Sequence, residues 1–131
     1  MSNPRQRYQN LLTLAKQEFP ALIQTTQFID GTFSTPRKAR ITFYDRSFLD
    51  IWISPDDDYA YHWEHRVQDG GVHRWDNAPH YPRIQTYPHH IHDGSENNVV
   101  ESNLPQENAE TALRHILKFI EAQLTNRAPS H

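Results

Sequence analysis

From about residue 22 to residue 87, the chain alternates apolar and polar side chains and is interrupted by short turn clusters. A repeat of two residues places successive side chains on opposite faces of a β-strand. We predict strands near residues 23–30, 38–45, 48–54, 59–67, 72–76 and 84–87. Their connections are too short for parallel crossovers, which need about a dozen residues or more. The pattern therefore predicts an antiparallel sheet of about five or six strands.

Apolar residues recur at helical spacing on either side of this region. The first stripe consists of Tyr8, Leu11, Leu12, Ala15 and Phe19. Asn3 is its expected N-cap, and Pro4 suits the first helical position. The second stripe consists of Ala109, Ala112, Leu113, Ile116, Leu117, Ile120 and Leu124, and Pro105 suits its first turn. An N-terminal and a C-terminal helix packed on an antiparallel sheet give an α+β fold.

Length and composition narrow the class of protein. The 131 residues amount to one domain, so we expect a single α+β domain over residues 1–131. The absence of cysteine excludes a disulfide scaffold, a thiolate zinc site and a cysteine nucleophile. Neither a signal peptide nor an apolar run long enough for a membrane is apparent, so we expect a cytoplasmic protein with no membrane contact. A net charge of −3 argues against an extended duplex-binding face.

Seven of the nine histidines fall within residues 62–92. Three of them, His89, His90 and His92, lie within four consecutive positions of residues 79–98, a proline-rich segment that we expect to leave the sheet as an ordered loop. Core packing explains such a group poorly, because a buried imidazole needs a partner for each ring nitrogen. If that stretch is extended, His90 and His92 share one face. The histidines therefore indicate a functional site, either a metal-binding one or a catalytic one.

Two kinds of chemistry fit. Neutral imidazoles bind zinc, copper, nickel or iron, which would make the chain a non-enzymatic metal-binding module. The sequence offers no third ligand at a recognisable spacing, so we assign no metal and no cofactor. The other chemistry is metal-free acid–base cleavage of RNA. There a base takes the proton of the 2′-hydroxyl, an acid protonates the leaving oxygen, and an arginine stabilises the phosphate charge.

For the acid–base enzyme, five residues are the expected catalytic set: His62, Asp76, His89, His90 and His92. His89 or His90 would act as the general base or acid. His92 or His62 would be its partner. Asp76 has two possible roles, as a carboxylate that orients an imidazole or as the first residue of an Asx turn.

Five further residues are the expected substrate-binding set: Arg40, Tyr61, Trp63, Arg74 and His80. Arg74 or Arg40 would stabilise charge on the phosphate, because a guanidinium matches its oxygens with two donors. Tyr61 would supply a hydroxyl or a stacking surface. Trp63 would stack on an unpaired base.

Three strings of the chain resemble the TumE-like toxins of type II toxin–antitoxin modules, over roughly residues 38–102. They are Tyr59-Ala60-Tyr61-His62-Trp63, Arg74-Trp75-Asp76-Asn77-Ala78-Pro79-His80 and Tyr87-Pro88-His89-His90-Ile91-His92. The resemblance implies a growth-inhibiting toxin that acts as a ribonuclease and is controlled by a helix-turn-helix antitoxin. Similar folds in CRISPR defence imply an alternative role as a ring nuclease that opens cyclic oligoadenylates. We expect a metal-independent ribonuclease that acts on RNA or a cyclic oligoadenylate and forms a homodimer.

Overall fold

The computed structural model describes residues 3–127, which form a seven-stranded antiparallel sheet and three helices. The elements are α1 (Pro4–Glu18), β1 (Ile23–Gly31), β2 (Pro36–Phe43), β3 (Phe48–Ile53), β4 (Tyr59–His65), α2 (Arg66–Asp69), β5 (Gly71–Asp76), β6 (His90–Gly94), β7 (Val99–Glu101) and α3 (Ala109–Thr125). Each strand pairs with the next along the chain, so the strand order from β1 to β7 is also the sequence order. The predicted α+β class with two terminal helices is confirmed.

Both long helices begin at a capping asparagine. The side chain of Asn3 accepts the backbone N–H of Gln6 at 2.8 Å, and Pro4 is the first residue of α1. In α3, the side chain of Asn108 accepts the N–H of Thr111 at 2.8 Å. The predicted start at Pro105 is therefore wrong, because the cap follows that proline. Within residues 3–127, no helix combines the length and apolar character that crossing a membrane requires.

The helices cover one face of the sheet. The apolar stripes of α1 and α3 pack there against alternate strand residues, which are Ala39, Ile41, Phe43, Leu49, Ile51, Tyr59, Tyr61, Trp63, Trp75 and Ile91. The opposite face carries the remaining alternate residues and is called the open face below. It includes Arg40, Asp50, His62, Arg74 and His92. The alternation of the sequence thus separates an apolar layer from a charged one.

The sheet has seven strands rather than five or six, and the difference lies after β5. The predicted strand at residues 84–87 is wrong. The N–H of Ile84 bonds to the carbonyl of Tyr81 at 3.1 Å, and the N–H of Tyr87 bonds to that of Ile84 at 3.0 Å. These are turn contacts, and the prolines on either side of this stretch lack the N–H that a sheet needs.

The predicted loop over residues 79–98 is only partly correct. Its second half returns to the sheet as β6, which pairs with β5, and β7 then pairs with β6. The predicted strand at residues 59–67 ends earlier, at His65, because the chain turns into α2. Gly70 follows α2 with φ +83°, a conformation that favours glycine.

The sheet divides the histidine cluster between its two faces. His65 and His73 face the helices, and their rings stack beside Trp63. Nε2 of His65 lies 2.9 Å from Nδ1 of His73, and a carboxylate approaches each outer nitrogen, Asp69 at 2.6 Å and Asp93 at 3.2 Å. Burial lowers the pKa of both imidazoles despite these carboxylates.

This buried pair predicts a loss of stability in mild acid. The unfolded chain binds protons at the ordinary histidine pKa of about 6.5, whereas folded His65 and His73 bind them at lower pH. The free energy of unfolding should therefore decrease as the pH falls below about 6.5. Urea unfolding at pH 7.5 and pH 5.5 measures the change, and the double variant His65→Gln/His73→Gln should show a shallower one. A wild-type stability that stays level or rises between those pH values contradicts this prediction.

Candidate active site

The strand register places three functional side chains in one row on the open face. His62 on β4 is the cross-strand partner of Arg74 on β5, and Arg74 is in turn the partner of His92 on β6. Neighbouring strands lie about 4.8 Å apart, so the two imidazoles arise from backbone positions about 10 Å apart. The arginine lies between them. His62, Arg74 and His92 are called the open-face row below.

A second set of contacts joins this row to Asp76 and His90, which are themselves cross-strand partners. Oδ2 of Asp76 accepts Nε–H of Arg74 at 3.0 Å, and Oδ1 lies 2.9 Å from Nε2 of His90. A terminal nitrogen of Arg74 donates to Nε2 of His92 at 3.1 Å, and this Nε2 is 3.7 Å from Asp76 Oδ2. Arg74, Asp76, His90 and His92 are called the Asp76 cluster below.

Main-chain carbonyls fix both imidazoles of this cluster. Nδ1 of His90 lies 3.0 Å from the carbonyl of Pro88, and Nδ1 of His92 lies 2.8 Å from that of Glu96. A carbonyl only accepts hydrogen bonds, so each Nδ1 carries the hydrogen and each Nε2 faces the cluster. Main-chain carbonyls therefore orient the Nδ1 side of both rings. Asp76 instead faces Nε2, and its Oδ1 also accepts the N–H of Ala78 at 2.9 Å in an Asx turn.

The two imidazoles of the row, His62 and His92, have different charged neighbours. Burial lowers the pKa of His92, the Glu96 carbonyl partly offsets this, and the Arg74 guanidinium adds to the decrease. His92 is therefore neutral at pH 7. His62 lies beside a carboxylate instead, with Nε2 3.1 Å from Glu64. Burial raises the pKa of Glu64, but hydrogen bonds from His62 and the Arg66 amide more than offset it, so the carboxylate is charged.

The Asp76 cluster forms the floor of a cleft of about 400 Å³. Residues 77–81 form one wall, and the ring of Tyr81 lies edge-on to His90 and His92, with centroids 4.7 and 5.8 Å away. A second cleft of about 400 Å³ contains His62 and shares Trp52, Ala60 and Arg74 with the first. The two clefts therefore adjoin along the open-face row, and Arg74 belongs to both.

The other predicted residues lie outside the cluster. Nδ1 of His89 is 2.8 Å from the hydroxyl of Tyr59, which faces the helices, and His89 does not line the cleft. Arg40 lines the second cleft, where Asp50 holds its guanidinium through two contacts at 2.7 and 2.9 Å. His80 is exposed at the rim of the first cleft.

The stacking roles predicted for Tyr61 and Trp63 require a correction. Trp63 is 0% exposed and Tyr61 is 2% exposed, because both side chains point from β4 into the layer beneath the helices. Burial also raises the pKa of the Tyr61 hydroxyl far above its ordinary value. Neither ring has an accessible face for a base. The same alternation places their neighbour His62 on the open face.

Three residues that contact or flank the site, Trp52, Tyr81 and Glu96, were not among the predicted site residues. Trp52 on β3 is 37% exposed and lies between the two clefts as the cross-strand partner of Ala60. The signal for it was present, since Trp52 alternates with the buried Leu49 and Ile51 in the wrong phase for the core. Tyr81 and Glu96, in contrast, lie in irregular segments, where no periodicity reveals their direction.

The cluster also brings together a set of atoms that could hold a metal ion. One ligand atom each from Asp76, His90 and His92 lies within 4.8 Å of the others, and all three side chains are buried. The sequence indicated the two histidines but not the third ligand, because Asp76 comes from the neighbouring strand. The arrangement thus offers both acid–base groups and metal ligands at one point.

Comparison with known proteins adds one finding. The family model described as Toxin TumE matches residues 12–124, a span that contains the whole open-face row and the Asp76 cluster. No curated protein and no solved structure matches the chain.

The geometry predicts which histidines are open to chemical modification. The side chain of His62 is 25% exposed, whereas those of His92 and His90 are 3% and 1% exposed beneath Tyr81. Diethyl pyrocarbonate should therefore modify His62 well before His90 and His92, and the substitution Tyr81→Ala should speed the reaction of the latter two. Peptide mapping by mass spectrometry measures the rates, with His62 as the internal control. Equal rates at all three rings in the unsubstituted protein contradict the described cover.

Proposed function

The chain belongs to the TumE toxin family, and on that premise we propose that it is a toxin that cleaves RNA without a metal ion, by attack of the 2′-hydroxyl on the neighbouring phosphate. The observation that carries this proposal is the open-face row, in which Arg74 lies between His62 and His92. Cleavage of this kind needs a base, an acid and a positive charge near the phosphate. The row supplies one residue for each task.

His92 is the general base of the proposed reaction. It is neutral, and its Nδ1–H is held by the carbonyl of Glu96, so the free electron pair is on Nε2. Arg74 donates to this electron pair at 3.1 Å. A phosphate oxygen is a stronger acceptor for a guanidinium than an imidazole is, so substrate would draw Arg74 away and release Nε2. Nε2 then takes the proton of the 2′-hydroxyl, whose oxygen bonds to phosphorus.

His62 is the general acid. Glu64 lies 3.1 Å from its Nε2 and is positioned to hold the charge of the protonated ring. The Glu64 contact uses Nε2 of His62 and leaves Nδ1 without a hydrogen bond among residues 3–127, and His62 shares a cleft with Arg74. It donates its proton to the departing 5′-oxygen. The products are a 2′,3′-cyclic phosphate and a 5′-hydroxyl, and His90 takes no part in either proton transfer.

Two further residues support binding of the substrate. Arg74 lines both clefts, so its guanidinium reaches the phosphate that the two imidazoles flank, where it offsets the negative charge that develops during attack. Trp52 presents a partly exposed ring between the clefts, on which an unpaired base can stack. In this proposal Trp52 takes the place of Tyr61 and Trp63.

A cyclic oligoadenylate is the second candidate substrate. The net charge of −3 favours it, because long RNA draws much of its affinity from phosphate contacts with basic surfaces. Two adjoining clefts of about 400 Å³ suit a small substrate that requires only a local site. The chemistry is the same for both substrates. An antitoxin partner accords with the family, while its helix-turn-helix fold, a homodimer and a cytoplasmic location remain predictions.

The proposal predicts the effect of three substitutions in the row. His92→Gln and His62→Gln should each lower the cleavage rate about 10²–10⁴-fold, because each removes one proton-transfer group. Arg74→Met should lower it to a similar degree through loss of charge on the phosphate. The assay uses single-stranded RNA and a cyclic oligoadenylate, with chelator present, and identifies the ends of the products. His115→Gln on α3, remote from the row, is the matched control.

Two results would count against this mechanism. One is a deoxy substrate cleaved as fast as the ribose form, since the nucleophile would then be absent. The other is cleavage by His92→Gln at the rate of the control variant, with circular dichroism showing both to be folded.

A further inference from the structure

We propose that Asp76, His90 and His92 form a binding site for a divalent transition ion, zinc in the first place, and that bound zinc blocks RNA cleavage. The binding part stands on the contacts of the Asp76 cluster alone. The inhibitory part rests on the proposed function, because His92 Nε2 would serve both as zinc ligand and as general base.

The first observation is a buried nitrogen without a partner. Nε2 of His90 is enclosed, yet it has no hydrogen-bond partner among residues 3–127. Oδ1 of Asp76 is 2.9 Å away but does not lie in line with the ring nitrogen, so the contact is no hydrogen bond. An unpaired buried polar atom is costly and rare. Nε2 of His90 and Oδ1 of Asp76 are thus close without being hydrogen-bonded. Two atoms that bind the same ion have this arrangement, because each is directed at the ion rather than at the other atom.

The second observation is how the rings are held. Metal-binding histidines usually donate their other ring nitrogen to a carbonyl or carboxylate, which directs the free nitrogen at the ion. Both rings of the cluster show this arrangement, through the carbonyls of Pro88 and Glu96. Because each Nδ1 holds the hydrogen, both Nε2 atoms present electron pairs to the same space. Oδ1 of Asp76, 2.9 Å from Nε2 of His90, adds a third acceptor atom there.

The donor types select the class of ion. Two imidazole nitrogens and one carboxylate suit zinc and its neighbours among transition metals, whereas magnesium and calcium prefer oxygen ligands throughout. The three atoms lie within 4.8 Å of one another, and tetrahedral zinc ligands lie about 3.4 Å apart. A shift of about 1 Å in the side chains closes the site. Three protein ligands leave a fourth position open to water.

Arg74 is the competitor of the ion. Its guanidinium donates to Nε2 of His92 and to Oδ2 of Asp76, so it supplies positive charge to the same acceptors. The Glu96 carboxylate accepts a hydrogen bond from another guanidinium nitrogen of Arg74 at 3.3 Å, and it offers a position to which Arg74 can move. Zinc must displace Arg74 from His92. The site thus has two alternative occupants. One is the Arg74 guanidinium, which also belongs to the open-face row, and the other is a metal ion, which would make Nε2 of His92 unavailable as a base.

Zinc binding by tag-free protein tests the site directly. We expect isothermal titration to show one tightly bound equivalent of Zn²⁺. The substitution His90→Gln should lower the zinc affinity roughly 100-fold or more, whereas the control His115→Gln should leave it unchanged. Arg74→Met should bind zinc more tightly than the wild type. In the unsubstituted protein, zinc should move the ¹⁵N resonances of Nε2 of His90 and His92, a readout that needs no variant to fold. Absence of binding, or unchanged resonances at these nitrogens, overturns the site.

The inhibitory part is tested with the RNA cleavage assay. One equivalent of Zn²⁺ should reduce the rate at least about tenfold, and chelator should restore it. Zinc that binds to His90 and His92 while cleavage stays constant or increases overturns inhibition and leaves the site standing. Absence of cleavage both with and without chelator overturns the proposed function and, with it, the inhibition. The titration and the resonances still decide the zinc site in that case.

Discussion

The architecture depends on the sheet being covered by helices on one face only. Burial of apolar residues from α1, α3 and alternate strand positions supplies the main stabilising free energy of the fold. Because strand side chains alternate, every residue buried against the helices sends its neighbours to the other face. On β4 this places Trp63 in the core and His62 in contact with solvent. Packing of the core therefore also determines which ionisable groups can meet on the open face.

The same constraint explains what the sequence could predict. The alternating pattern and the helical stripes are local, and they correctly indicated both long helices, the strands from β1 to β5 and the two faces of β4. The short strand β6 lies among prolines with a single apolar residue, Ile91, on its buried side, so no local pattern distinguished it from a loop. The roles of Tyr61 and Trp63 were misjudged because alternation separates the two faces without telling which one the helices cover.

The site was harder to predict because it depends on register. His62, Arg74 and His92 meet only because two separate strand pairings align them, and the second pairing follows the long connection over residues 77–89. The sequence indicated the types of residue in the site and several of their positions, but it did not indicate which side chains contact one another. It assigned His89 and His90 the same expected role. The two residues are adjacent, however, and the side chain of His89 contacts Tyr59 and lies away from the cleft. The sequence indicated His90 as an acid or base but did not indicate its burial beside Asp76.

The agreement between strand order and sequence order has a consequence for synthesis of the protein. Apart from the connection over residues 77–89, neighbouring strands are joined by short segments. Pairing of most of the sheet therefore costs little loop entropy and can begin while the chain leaves the ribosome. The contact of α1 with α3 joins opposite ends of the chain, as in the 2.8 Å pair of Glu18 with Arg114. The apolar layer consequently stays incompletely covered until residues 109–125 emerge. The strands that carry the open-face row are thus made before α3, the helix that completes the cover of their apolar side.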